Sequence, residues 1–129
     1  MCDAVEKAAG FRPGIKWTND LVWGKRKLGG ILTELGFRPD GSVDYAIIGI
    51  GINCCQKNAD FPEELQAIAT SVQECSGTAC PPARLAAALV EEFHQIDRQL
   101  LQNKQALMDT YRHYCITVGK EISLLQTDT

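Results

Sequence analysis

Apolar and polar positions divide the chain into a strand-patterned first part and a helix-patterned second part. Cys2 to Ala9 carries Val5 and Ala8-Ala9 ahead of Gly10, and reads as the end of a helix stopped by glycine. Phe11-Arg12-Pro13-Gly14 has the residues of a turn, and Ile15-Lys16-Trp17 those of a short strand. Thr18-Asn19-Asp20 interrupts the apolar pattern before Leu21-Val22-Trp23. Gly24-Lys25-Arg26 is then a tight basic turn suited to joining antiparallel strands. Lys27 to Phe37 continues as strand, with Leu28 and Leu32 on one face and Ile31, Thr33 and Leu35 on the other. Apolar residues on both sides predict that both faces are at least partly covered. The internal Gly29-Gly30 predicts a bulge or a close approach of backbone or ligand. Arg38-Pro39-Asp40-Gly41 turns the chain back as a hairpin into Val43 to Asn53. That run, VDYAIIGIGIN, is apolar from Ala46 to Ile52 apart from Gly49 and Gly51, which predicts a central strand buried on both faces.

After Asn53 the pattern changes. Asp60-Phe61-Pro62-Glu63-Glu64 predicts a helix running to about Ala69, with proline near the first position and acids in the first turn. Thr70 to Cys80 reads as loop or a short helical turn. Pro81-Pro82 opens the longest helix, whose Leu85, Leu89, Phe93, Ile96 and Leu100 repeat at helical spacing, and Leu107, Tyr111 and Tyr114 make a similar stripe on a following helix. Core packing is the expected role of both stripes. Ile116 to Gln126 reads as strand, turn at Gly119-Lys120, and strand.

Composition narrows the class. The 129 residues are 45% hydrophobic and 22% charged, as in an ordinary globular domain. A net charge of −3 gives no electrostatic argument for nucleic acid or for an anionic membrane. No run reaches the ~18 apolar residues of a membrane span and the first residues lack a signal-peptide core, so a cytoplasmic protein is expected. Cys2, Cys54, Cys55, Cys75, Cys80 and Cys115 follow no metal-ligand spacing and are expected as free thiols. His94 and His113 are expected as surface or boundary residues, so no metal site built from Cys and His is predicted.

Three features carry candidate chemistry. Lys16 stands at a strand end beside Asn19 and Asp20; its ammonium is a compact charge able to meet a carboxylate or phosphate and to stabilise charge that develops there. Asn19 and Asp20 either hold the loop through backbone hydrogen bonds or approach a hydrated magnesium ion. Gly49 and Gly51 strip the side chains from one face of their strand, so that a flat ligand can lie on bare backbone, and Asn53 follows with an amide able to read a donor–acceptor edge such as adenine. The spacing is not the dinucleotide fingerprint, which needs a third glycine opening a helix. Lys27 with Gly29-Gly30 forms a second cleared patch on the neighbouring strand.

These segments together, IKWTND, then LVWGKRKLGGILTEL, then IIGIGIN, resemble the biotin–protein ligases, whose hallmarks are a KWPND loop, a K-L-x-G-I-L-x-E strand and a G-x-G-I-N strand. The resemblance implies an α+β fold, a mixed or antiparallel sheet packed against helices, of the class II aminoacyl-tRNA-synthetase-like catalytic core. It assigns residues 1–114 to part of that catalytic domain and 115–129 to the start of a small SH3-like β domain. It implies an enzyme that makes biotinyl-5′-adenylate from biotin and ATP with Mg2+. The biotinyl group then passes to a lysine on the biotin carboxyl carrier domain of a carboxylase. By matching position, Lys16 would meet the biotin carboxylate and the α-phosphate as the catalytic residue, and Trp17 would shape the pocket. Leu21, Gly49 and Gly51 would wall the biotin ring, Asn53 would meet adenine, and Lys27 and Gly30 would line the same surface.

The sequence departs from the family pattern in two ways. Thr18 stands where the motif has proline, which loosens a φ restraint but removes no functional group. The family's GRGRxxR loop, which closes over the adenylate, has no counterpart in these residues. A fragment of the catalytic domain is therefore expected, with negligible turnover alone and with self-association to cover open sheet edges. Two other classes compete: a non-catalytic binding or scaffold module, and a lipoate- or octanoyl-transferring relative.

Overall fold

The computed structural model describes residues 1–123. Helix α1 (Cys2–Ala9) leads into β1 (Gly14–Lys16), β2 (Asp20–Trp23), β3 (Arg26–Phe37) and β4 (Val43–Ile52), which form a four-stranded antiparallel sheet in the order β1-β2-β3-β4. Two short 3-10 turns follow, Asn58–Asp60 and Glu63–Leu65, and then α2 (Val72–Ser76), α3 (Pro82–Gln102) and α4 (Lys104–Tyr114). The molecule is thus α+β, with helices packed against an antiparallel sheet, as expected.

Local chemistry accounts for most boundaries. Gly10 ends α1 in the left-handed region at φ 76°, and its N–H returns to the Glu6 carbonyl. Gly24, at φ 59°, and Lys25 make the two-residue turn between β2 and β3. Ser71 caps α2 by accepting from the Glu74 N–H, and Asn103 caps α4 by accepting from Ala106. The core gathers Cys2, Ala4, Val5 and Ala8 of α1, Leu21, Leu28 and Val72, Cys80 just before α3, and Leu85 and Ala88 in its first half. It lies under the β2 end of the sheet.

Several expectations need correction. Phe11–Pro13 forms no turn, and Gly14 already belongs to β1, where a Cβ would approach the Ile116 Cγ2 to 2.8 Å. The helix expected over Asp60–Ala69 is two 3-10 turns separated by Phe61 and Pro62 in extended conformation, because a residue before proline is pushed out of the α region. Among the described residues β4 is an edge strand and not a central one, and β3 is covered only around Leu28 and Gly29. Leu32, at 67% exposure, and Ile47, at 56%, show how little packs on the far part of the hairpin. The helical stripes are also only partly buried: Leu85 is in the core, while Phe93, Ile96 and Leu100 are exposed. Cys115 makes a parallel bridge to Ile15, and 116–119 is turn rather than strand. The rest of the expected terminal hairpin, from 124 on, lies outside the described residues.

Candidate functional site

Strand register gathers the candidate residues. Lys16 pairs with Asp20, Asp20 with Gly30, and Gly30 with Gly51, so these four form one row across the sheet. Directly paired residues of antiparallel strands share a face, and the row therefore lies on one side. The adjoining row, Ile15, Leu21, Gly29 and Ile52, turns to the other side, where Leu21 is buried in the core. A register shift between Leu21 and Val22 inserts Leu28 as an extra residue in β3 and brings Lys27 opposite Val22. Lys27 then reaches Asp20 over Gly30, Nζ to Oδ1 2.7 Å.

The glycines differ in what they make room for. A Cβ on Gly29 would collide with the Gly51 carbonyl oxygen and stand 3.0 Å from the Ile52 Cα, so that glycine serves the contact between β3 and β4. A Cβ on Gly30 would stand 3.1 Å from Asp20 Oδ1 and 3.5 Å from Lys27 Cε, within the ion pair. Gly51 has nothing within 4 Å of that position, and Gly49 has only the Leu32 carbonyl oxygen at 3.6 Å. Gly49 and Gly51 thus leave bare backbone open on the side that carries Lys16, Asp20 and Lys27.

The loop bearing Lys16 is held from several directions. The Asn19 amide donates to the Ile31 carbonyl, and the Ile31 N–H donates to the Asn19 carbonyl at 2.9 Å. Thr18 Oγ1 donates to Asn19 Oδ1 at 3.1 Å, and the Trp17–Thr18 peptide bond is cis. The Trp17 N–H donates to Thr117 Oγ1 at 3.0 Å, while its ring is exposed. Of the two roles open to Asn19 and Asp20, Asn19 fixes the loop to β3 and Asp20 engages Lys27. Among the described residues Lys16 forms no ion pair. Asn53 donates its amide to the Thr70 carbonyl at 3.0 Å, and its backbone bonds Leu28 and Val72, so it joins β4 to the segment running beside Lys27.

Two features escaped the sequence reading. Tyr111, read as a core stripe, donates its hydroxyl to the Thr18 carbonyl. Arg12 bonds Asp3 and Glu6, each at 2.7 Å, and lies 3.9 Å from the centre of the Tyr114 ring. Burial opposes the Arg12 charge, but the two carboxylates outweigh it and hold the guanidinium above its ordinary range. A cleft of about 700 Å³ opens between this loop and the helices, lined by Ile15, Trp17, Ile31, Ile96, Met108 and Tyr111 among others. It leaves out Lys16, Lys27, Gly49, Gly51 and Asn53. Asn19, Asp20 and Leu21 do line it, so the cleft and the open glycine face meet at Asp20, with Lys16 and Lys27 on the open face. Among the described residues no group of His, Cys, Asp and Glu suits a metal ion, and the six cysteines are free.

Residues 5–53, which span this whole constellation, match the model of the biotin/lipoate A/B protein ligase family. That match takes in all four strands of the sheet. The chain is 49% identical over 77 residues to the bifunctional ligase/repressor BirA of Bacillus spizizenii, covering 60% of this chain and 23% of that protein. It is 30% identical over 109 residues to the biotin–[acetyl-CoA-carboxylase] ligase of Mycobacterium tuberculosis, covering 84% of this chain and 37% of the relative. The chain thus spans well under half the length of these relatives. In fold it resembles the biotin protein ligase of Aquifex aeolicus without ligand, with TM-score 0.81, 24% identity, and 95% of this chain and 53% of that one covered. The same enzyme in complex with biotin and ATP matches with TM-score 0.76 at 21% identity, over 92% of this chain and 48% of that one.

Proposed function

We propose that this chain supplies the lysine-and-glycine face of a biotin-adenylating site, within a protein that activates biotin with ATP and passes it to a lysine of a biotin carboxyl carrier domain. The observation that carries the reading is the single row Lys16, Asp20, Gly30 and Gly51, with Lys27 above it. In adenylation a biotin carboxylate oxygen attacks the α-phosphorus and pyrophosphate leaves, so negative charge builds on the α-phosphate oxygens. Lys16, exposed and free of ion pairs among the described residues, supplies the positive charge there. Gly49 and Gly51 give a flat seat for the biotin ring, Trp17 borders it, and Asn53 offers its amide oxygen toward adenine. Leu21 supports the seat from the core side.

The described residues do not build a magnesium site of their own. Asn19 is committed to Ile31 and Asp20 to Lys27, and no third acidic group joins them. Magnesium thus belongs with the ATP phosphates as part of the substrate. Biotin is favoured over lipoate as the acyl group by the name of the Mycobacterium tuberculosis relative, a biotin–[acetyl-CoA-carboxylase] ligase. The free thiols favour a reducing, cytoplasmic setting. Residues 115–129 are proposed as the start of a small SH3-like domain, and the open β4 edge as a surface for self-association.

The test is calorimetric titration of the chain with a non-hydrolysable biotinyl-adenylate analogue. Binding that Lys16→Met weakens by about tenfold or more, and that Lys16→Arg largely restores, supports the assignment. Absence of heat for the unaltered chain removes it and leaves a scaffold without ligand. Because the sequence has no GRGRxxR loop to meet the phosphates from the other side, the chain alone is expected to bind without appreciable turnover.

A further inference from the structure

Asp20 stands between two lysines. It is the direct cross-strand partner of Lys16 on β1, and its Oδ1 lies 2.7 Å from the Nζ of Lys27 on β3. Among the described residues Asp20 is the only carboxylate paired with Lys27. The glycine at position 30 leaves room for this pair, since a Cβ there would press on Asp20 Oδ1 at 3.1 Å and touch Lys27 Cε at 3.5 Å. The side chains remain 53% exposed for Lys27 and 30% for Asp20. Solvent and salt screen a pair this open, and it is held weakly.

The backbones on either side are held much more firmly than the pair. The Lys27 N–H donates to the Ile68 carbonyl at 2.7 Å, and its carbonyl accepts from Thr70 at 2.9 Å. Asn19 ties the start of β2 to Ile31. The roots of both side chains are therefore fixed, while the charged heads meet over open backbone. A polyanion arriving on this face offers the Lys27 ammonium several oxygens in place of one carboxylate.

We propose that Asp20–Lys27 is an exchangeable ion pair: Lys27 is a second phosphate-binding residue, for the diphosphate portion of a nucleoside triphosphate, and Asp20 is the internal anion that this diphosphate displaces. The proposal rests on the adenylating reading of the face, and it adds a division of labour. Lys16 serves the phosphate that reacts, and Lys27 the two that leave. Without ligand, Asp20 occupies Lys27, so a singly charged anion gains little by binding there. No bond is made or broken in the exchange; one ammonium changes its carboxylate partner for phosphate oxygens.

The experiment is titration with inorganic pyrophosphate in magnesium-free buffer at low ionic strength, using the whole chain and variants whose folding is checked by thermal melting. Asp20→Asn is expected to bind pyrophosphate about two- to fivefold more tightly, the range set by the modest strength of an exposed pair. Lys27→Met binds several-fold more weakly, and Lys27→Arg stays close to the unaltered chain. The gain from Asp20→Asn vanishes when Lys27→Met is also present. Glu34→Gln, on the same face of β3, leaves the affinity unchanged and so separates local exchange from a general loss of negative charge. An Asp20→Asn chain that binds equally or less well overturns the proposal, as does a gain that survives Lys27→Met. The adenylating reading is judged separately. Pyrophosphate results as described, without binding of the biotinyl-adenylate analogue, sustain the exchange and remove only the biotin assignment.

Discussion

Tyr111 on α4 donates its hydroxyl to the Thr18 carbonyl at 2.8 Å, so a helix from the second half of the chain holds the loop that carries Lys16. The Thr117 hydroxyl, just beyond that helix, accepts from the Trp17 N–H and adds a second tether. Tyr111→Phe keeps the ring and removes the bond. The expected loss is about 0.5–1.5 kcal/mol of stability, read as a lower urea midpoint at unchanged slope, with faster dissociation of the biotinyl-adenylate analogue. An unaltered midpoint and off-rate show that the tether does not hold the loop.

Gly29 and Gly51 are opposed in what substitution does. Alanine at Gly29 drives a methyl into the β4 backbone, and overpacking of that kind costs about 1–3 kcal/mol. Alanine at Gly51 meets nothing within 4 Å and sits in an ordinary strand conformation, so stability is kept or slightly raised. The same methyl occupies the seat on the open face. Gly51→Ala is therefore expected to fold and to bind the analogue at least several-fold more weakly. Thermal melting paired with calorimetry checks both halves, and a Gly51→Ala chain that binds normally places the ligand elsewhere.

The candidate site was more legible in the sequence than the burial of the sheet. Turn residues such as Gly24 and Gly41 set hairpin positions by φ requirements that act locally, and strand pairing carried Lys16, Asp20, Gly30 and Gly51 into one row with Lys27 reaching over it. Burial depends instead on what covers a strand. The apolar run from Ala46 to Ile52 reads as buried on both faces, yet β4 has β3 on one side and nothing paired on the other among the described residues. The hydroxyl of Tyr111 was missed for a related reason. Helical spacing identifies a stripe facing inward, but it does not reveal which backbone carbonyl waits at the end of the side chain. The pairing of Asp20 with Lys27 depends on the extra residue at Leu28, a register detail that period-2 alternation passes over.

Burial raises the thiol pKa of Cys2, Cys54 and Cys80 above their ordinary 9.0, with neighbouring thiols adding to the effect at Cys54. A folded-state pKa above the unfolded one means that folding favours the protonated thiol. The contribution is complete below about pH 9 and is lost as pH rises through the folded values. Urea midpoints are therefore expected to hold from about pH 7 to 8.5 and to fall above about pH 9. In the same range a disulfide reagent should react first at exposed Cys55 and last at buried Cys2, Cys80 and Cys115. Fast modification of Cys80 in the folded chain contradicts its placement in the core.

Among the described residues β4 presents ten residues of edge with little of the usual protection. It contains no lysine or proline, and its one charge, Asp44, is bound to Arg38 at 2.8 Å. Tyr45 and Ile47 are exposed on one face and Ile48 on the other, so apolar surface flanks the unpaired N–H and C=O groups on both sides. Sedimentation velocity between about 1 and 100 μM is expected to show concentration-dependent association through this strand. Ile48→Lys places a charge on the edge without entering the core, and it should shift the boundary toward monomer at every concentration. A chain that sediments as monomer throughout, or an association that Ile48→Lys leaves intact, rules out the β4 edge as the contact.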